Sequence, residues 1–281
     1  MEPAPSSPPE RLDVQVGQAV LSAFRQGAGG SPTIVFLHAG IADHRAWSAV
    51  MEALSPACDV VAYDRRGFGT SFAPAEEHSQ VVDLMAVLDA LGPGTGPVVL
   101  VGNSRGGQIA LDAALAHPDR LLALVLVAPA VTGSPTVDET LIGPVERAIW
   151  ENIEAAYEAN ALDALNLAEI RLWLDGPSGP EGRISGPVRD LALDMNRIAL
   201  HAESPGHEPA PPDAWSRLDR IDCPTLVVVG DRDLLHQQAR ARAVAAAIPG
   251  AELVVMVGAA HLPGLEQPDD FAALLRRFLA L

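Results

Sequence analysis

The chain has 281 residues, 48% hydrophobic and 20% charged, which suits a globular protein long enough to bury a full core in one large domain or two small ones. Its formal net charge of −17 argues against binding nucleic-acid phosphates or anionic lipid. All 19 basic residues are arginine, so chemistry through a lysine Schiff base is closed to it, including the usual anchoring of pyridoxal phosphate.

Taken in chain order, residues 1–10, MEPAPSSPPE, read as a disordered lead with neither the basic start nor the apolar stretch of a signal peptide. Residues 12–16 and 19–24 alternate in polarity around Gly17, as a hairpin does. Short apolar runs predict buried strands at 33–37, 60–63, 98–101, 122–127, 225–229 and 253–257. Helical patterns at 47–54, 80–91, 108–116, 237–247 and 271–281 separate most of them. A hairpin followed by alternating strand and helix predicts an α/β fold: a mostly parallel eight-stranded sheet with helices on both faces.

Residues 134–215 break the alternation. VERAIWENIEAAYEANALDAL and PVRDLALDMNRIAL carry helical periodicity, no strand is evident, and the joints DGPSGPEG and SPGHEPAPPD are rich in proline and glycine. The segment reads as an inserted helical cap, or lid, with residues 11–133 and 216–281 forming the core domain. The longest apolar run, 121–131, is interrupted by Pro129 and too short to span a bilayer. Cys58 and Cys223 lie far apart beside predicted strands and read as core hydrophobes, not as a disulfide or metal pair. The expectation is a cytoplasmic monomer or homodimer that acts on a small molecule, with no nucleic-acid, membrane, metal or cofactor partner.

VVLVGNSRGG at 98–107 runs from a predicted buried strand straight into a serine flanked by glycines, and a helical pattern follows until Pro118. Strand, sharp turn and helix around G-x-S-x-G is the setting of a nucleophile elbow. Glycines at positions −2 and +2 remove side chains that would collide with the strained turn. The hydroxyl of Ser104 is then presented above the sheet, next to backbone N–H groups at the start of a helix.

A serine hydroxyl needs a base to take its proton, and an imidazole base needs an acid to orient it. TLVVVGDRD ends a predicted strand with two carboxylates, Asp231 and Asp233, either of which suits the acid while the other caps the next helix. Among the histidines, His117 and His236 fall at helix ends and His201 and His207 in the cap. His261 follows the last predicted strand in VVMVGAAHLP. The order Ser104, then Asp231 or Asp233, then His261 is that of an elbow triad.

FLHAG at 36–40, YDRRGFGTS at 63–71, GNSRGG at 102–107, GDRD at 230–233 and GAAHLPGLEQPDDF at 258–271 together resemble the α/β-hydrolase-fold family over nearly the whole chain. The resemblance implies Asp233 as the triad acid, leaving Asp231 structural. It also implies an oxyanion hole from the backbone N–H groups of Arg105 and Gly40, with Ile41 next. His38 is expected to hold its loop, and Asp64 and Arg65 to organise theirs. The Arg105 side chain either pairs with an acidic residue or meets a substrate carboxylate, the pair being favoured. Ile41 is expected at the substrate pocket, and Trp150, Tyr157, Trp173 and Met195 either line an acyl pocket or form the core of the cap.

The resulting expectation is a cofactor-free serine hydrolase for a small ester or lactone. Alternatives on the same fold are a carbon–carbon bond hydrolase, a perhydrolase, a cyclase or lyase, and a non-catalytic small-molecule receptor.

Overall fold

Runs of Val, Ile and Leu that are apolar on both faces need helices above and below them, and the chain supplies helices between most strands. A computed structural model describes residues 8–27, 30–92 and 94–281. Its sheet contains β1 (Glu10–Val16), β2 (Ala19–Gln26), β3 (Thr33–Leu37), β4 (Asp59–Tyr63), β5 (Val98–Asn103), β6 (Leu121–Val127), β7 (Thr225–Gly230) and β8 (Glu252–Met256). The strand order is β1-β2-β4-β3-β5-β6-β7-β8. β2 runs antiparallel to both β1 and β4, and all other pairs are parallel.

Alternate strand residues divide between two cores. Val35, Leu37 and Leu100 pack with α2 (Gln80–Ala90), α3 (Arg105–Ala116) and α7 (Leu235–Ala247) through Leu84, Ile109 and Val244. Ile34, Phe36 and Val101 pack on the other face with α1 (Ser48–Leu54) and α9 (Pro268–Leu279) through Val50, Leu54 and Phe271. A short helix, α8 (Pro263–Glu266), precedes α9. This is the predicted α/β-hydrolase fold, with an eight-stranded, mostly parallel sheet and helices on both faces.

Several boundaries differ from the sequence-based expectation. Residues 1–7 of the expected lead lie outside the described residues, and Glu10, placed in that lead, opens β1. The helix after Ser104 begins at Arg105 and not at 108, because its glycines take part in the first turn. The last strand ends at Met256, and Val257 stands 78% exposed beyond it.

Between β6 and β7 lie α4 (Pro144–Glu158), α5 (Leu162–Ile170), a widened turn at Arg171–Asp175, and α6 (Pro187–His201). Ile170, Leu174, Ala192 and Met195 from this insertion pack with Ala39, Ile41, Ala42 and Ala46 from the loop and turn after β3, and with Leu262 after β8. α5 and α6 therefore rest on loops at the carboxyl end of the sheet, where open α/β sheets bind ligands, and α4 packs through Ile149 against Leu234 after β7. Among the described residues, no helix is long and apolar enough to cross a membrane.

Candidate active site

Ser104 is the single residue between β5 and α3, at φ 55 and ψ −112. A non-glycine residue pays a strain cost there, so the surroundings must hold it. Its N–H donates to the Val127 carbonyl at 2.8 Å, and its carbonyl accepts from Gln108 N at 3.0 Å and Ala130 N at 3.1 Å. The flanking glycines are sterically required. A Cβ on Gly102 would lie 2.3 Å from the Gly106 carbonyl oxygen, and one on Gly106 would lie 2.3 Å from the Leu37 carbonyl oxygen. This close approach seats the first turn of α3, with the Arg105 N–H, against the end of β3 and the loop that follows.

The other two predicted residues meet through a third close approach. A Cβ on Gly230 would fall 2.2 Å from the Ala259 carbonyl oxygen and 2.3 Å from that of Ala260, so glycine lets the loops after β7 and β8 close on each other. Across that closure His261 Nδ1 lies 2.8 Å from Asp233 Oδ2, and both side chains are buried. A carboxylate accepts, so Nδ1 carries the proton and Nε2 is left as an acceptor. Asp233 Oδ1 accepts from the Leu234 N–H at 2.8 Å, which fixes the carboxylate plane. Asp231 accepts instead from the Gly258 N–H at 2.7 Å. It tethers the loop after β8 and does not cap α7, which starts at Leu235.

Asn103, the residue before Ser104, donates from Nδ2 to the carbonyls of Val127 and His261, both at 3.1 Å. The end of β5 is thereby tied to the histidine loop. Glu266 accepts from Ala260 N at 2.9 Å and Leu262 N at 3.0 Å, and it pairs with Arg183. Burial pushes the Glu266 pKa up, while Arg183 and the two N–H donors pull it back. Arg183 also donates to the Leu174 carbonyl at 2.6 Å and the Gly258 carbonyl at 2.7 Å, joining the insertion to the histidine loop. Asn103, Arg183 and Glu266 were not singled out from sequence. The readable signals were a polar residue closing an apolar strand and a glutamate five positions after the histidine. Arg183 offered none.

The loop after β3 is held as expected. His38 is buried, accepts from Arg65 N at Nε2 (3.1 Å) and donates from Nδ1 to the Ala39 carbonyl (2.8 Å). Burial, helped by the Arg65 charge, pushes its pKa down to about 3, so it is a neutral staple. Arg65 donates to the Ala39 carbonyl at 3.1 Å and lies over the Phe68 ring. Asp64 accepts from His44 N, His44 Nδ1 and Thr70 N. Asp43, His44 and Asp64 lie close enough together to suggest a cation site, but Asp43 is bound to Arg45 and Asp64 to His44 and Thr70. That set works as a loop staple. Gly40 is exposed, with open space where a side chain would be, and Ile41 is buried among the residues joining loop and insertion.

The Arg105 guanidinium binds Glu208 at 2.5 Å and Gln108 at 2.8 Å, which matches the pairing favoured from sequence. Trp173 reaches the site twice: its carbonyl accepts from the His261 N–H at 3.2 Å, and its ring centroid is 4.5 Å from the imidazole. Trp150 meets Trp173 edge-on at 5.9 Å. The expectation that Tyr157 joins this group is corrected. It is 74% exposed, while Trp150 and Ile153 of the same helix pack with Ile149 and Trp173.

A strained serine turn, a buried histidine–carboxylate pair and a hairpin-led parallel sheet define a hydrolase-type α/β protein. The chain belongs to the alpha/beta hydrolase family, whose sequence pattern matches residues 34–274. It is 30% identical over 249 residues to a pimeloyl-[acyl-carrier protein] methyl ester esterase of Neisseria meningitidis, covering 88% of this chain and 93% of that protein. It is 27% identical over 293 residues to a 2-hydroxymuconate semialdehyde hydrolase of Pseudomonas sp., covering 99% and 96%. Among solved structures it is similar to Est816, described as an N-acyl homoserine lactone degrading enzyme, with a TM-score of 0.73, 28% identity, and coverage of 95% and 100%.

Proposed function

We propose that this hydrolase is a serine enzyme that cleaves a small ester or lactone through an acyl-enzyme. The observation that carries the reading is the buried His261–Asp233 pair at 2.8 Å, beside a serine held at positive φ at the same edge of the sheet. In the proposed reaction Ser104 Oγ attacks the carbonyl carbon while His261 Nε2 takes its proton. The developing oxyanion accepts from the N–H groups of Arg105 and Gly40. Collapse of the tetrahedral intermediate expels the alcohol, which receives the proton from His261. Water then repeats the sequence on the acyl-enzyme and frees the acid. Every step uses protein groups and water alone.

The insertion spanning 134–215 is proposed to act as a cap that shapes the acyl pocket. Its contacts with Ile41, Leu262 and His261 support that role. The relative that hydrolyses 2-hydroxymuconate semialdehyde spans 99% of the chain, which favours carbon–carbon cleavage as the second reading. Intact-mass analysis after reaction with a fluorophosphonate tests the nucleophile: one adduct is expected on wild type and none on Ser104→Ala. Turnover of a panel of acyl esters, lactones and vinylogous diketones then separates the two readings. A wild-type protein that takes no adduct refutes both.

A further inference from the structure

The peptide that carries the Gly40 N–H also carries the Ala39 carbonyl, and three donors meet that oxygen. His38 Nδ1 lies 2.8 Å from it, Arg65 Nη2 3.1 Å and the Ala42 N–H 3.3 Å. The Ala39–Gly40 peptide is trans, so holding its carbonyl holds the N–H in the opposite direction. On that side Gly40 is exposed, and its N–H makes no hydrogen bond among the described residues.

Arg65 brings more than a donor. It is 3% exposed, no carboxylate lies within ion-pair distance of it among the described residues, and its Nε is buried without an acceptor. Its neighbour Arg66 holds Glu76 and Asp83, and Arg105 holds Glu208. Burial lowers the Arg65 pKa to about 10, with Tyr63 and Glu208 pulling it up and Arg105 pushing it down, so the guanidinium is charged at neutral pH. His38 is neutral there, so the charge at this carbonyl is that of Arg65. Stapling the loop requires only a donor, and a neutral side chain would supply one without burying an unpaired charge.

We propose that Arg65 is a positioning residue for the oxyanion hole: it locks the Ala39–Gly40 peptide, and its charge polarises that peptide so that the Gly40 N–H donates more strongly to the developing oxyanion. The inference rests on the serine-hydrolase reading above and on Gly40 as an oxyanion donor. Hydrogen bonds in series strengthen one another, and a charged donor in a low-dielectric surrounding does so most.

The ketone 1,1,1-trifluoro-2-butanone reads the hole directly. Ser104 Oγ bonds to its carbonyl carbon, the π pair moves onto the oxygen as an oxyanion, and the hydroxyl proton passes to His261. Its inhibition constant, the rate constant of fluorophosphonate labelling and Tm are measured on the full chain for wild type, Arg65→Met, Arg65→Gln and Arg65→Lys. Removing an oxyanion donor outright costs about 10²–10³ in rate, so weakening one should cost Arg65→Met about tenfold in labelling rate and a like factor in ketone affinity. Arg65→Lys, which keeps the charge, should recover most of both, and Arg65→Gln, a neutral donor, should recover neither. If Arg65→Met does not fold, the comparison of Lys with Gln decides. A wild-type protein that takes no adduct overturns the serine-hydrolase reading and this proposal with it. With wild type labelled, the proposal alone is overturned if Arg65→Met labels at the wild-type rate, if labelling slows without loss of ketone affinity, or if Arg65→Gln matches Arg65→Lys.

Discussion

Gly106→Ala tests whether the serine turn and the loop after β3 are held against each other. The added Cβ would sit 2.3 Å from the Leu37 carbonyl oxygen and 2.8 Å from that of His38. Both are backbone atoms and cannot swing aside. Relief to the 3.4 Å at which ordinary contact begins requires the helix start and the loop to part by about 1.1 Å. Overpacking of this kind costs ~1–3 kcal/mol, and an immovable partner puts it near the top of that range. Alanine regains ~1 kcal/mol over glycine inside a helix, leaving a net loss of about 2 kcal/mol. At ~2–4 °C per kcal/mol for a chain of this size, Tm should drop by about 4–8 °C. The same displacement moves the Arg105 and Gly40 N–H groups apart, and a shift of about 1 Å in a catalytic group costs on the order of 10²-fold in rate. Melting curves and kcat/KM for p-nitrophenyl acetate measure both effects. Gly96→Ala, where the new methyl meets open space, serves as the control and should change neither. A Gly106→Ala protein with wild-type Tm and turnover would refute the claim that this contact positions the proposed oxyanion donors.

Ser104→Ala should lower kcat/KM by about 10⁴–10⁶, and a residual rate above about a tenth of wild type contradicts the nucleophile assignment. Asp233→Asn should cost about 10⁴ in rate, whereas Asp231→Asn should cost ~1 kcal/mol of stability through its lost bond to the Gly258 N–H; kinetics paired with denaturant melts would expose the reverse ranking. Trp173→Ala should slow both a bulky ester and phosphonate labelling because its ring lies on His261, while Trp150→Ala, one ring further out, should slow only the bulky ester; equal effects in both variants would argue against a layered pocket wall. His38 is held near pKa 3 when folded and titrates near 6.5 when unfolded, so the unfolded chain binds more protons in between. Its contribution is complete above pH 6.5 and is lost as pH falls toward 3, about 2 kcal/mol of it by pH 5. His38→Gln should show a correspondingly shallower fall in stability from pH 7.5 to 5, and an unchanged slope would mean that His38 is not the group responsible.

The strands were legible because each is a short run of branched apolar residues, and a run buried on both faces leaves no polar position to confuse the period. The serine turn was legible because its glycines are forced by backbone contacts that any sequence adopting the turn must permit. Tyr157 was misread because helical spacing puts it near the stripe of Trp150, and spacing alone does not say which edge of a stripe is covered: Ala156 beside it is buried and Tyr157 is exposed. The Arg105–Glu208 pair joins positions 103 apart, and nothing local in either segment announces the other. Trp173 stood out as a large aromatic in the insertion, but its carbonyl bond to the His261 N–H depends on a widened turn that periodicity does not reveal.

The insertion between β6 and β7 also sets the order in which a growing chain becomes complete. A nascent chain finishes β1 to β6, with Ser104 already on its turn, and then adds about a hundred further residues before β7 emerges. Throughout that interval the outer edge of β6 has no neighbour, and an unpaired apolar edge invites pairing with another chain. Asp233 and His261 come later still, so Ser104 stands on its turn before the base and acid proposed for it have been made. A polypeptide cut short before β7 would therefore fail by aggregation and not by uncontrolled hydrolysis.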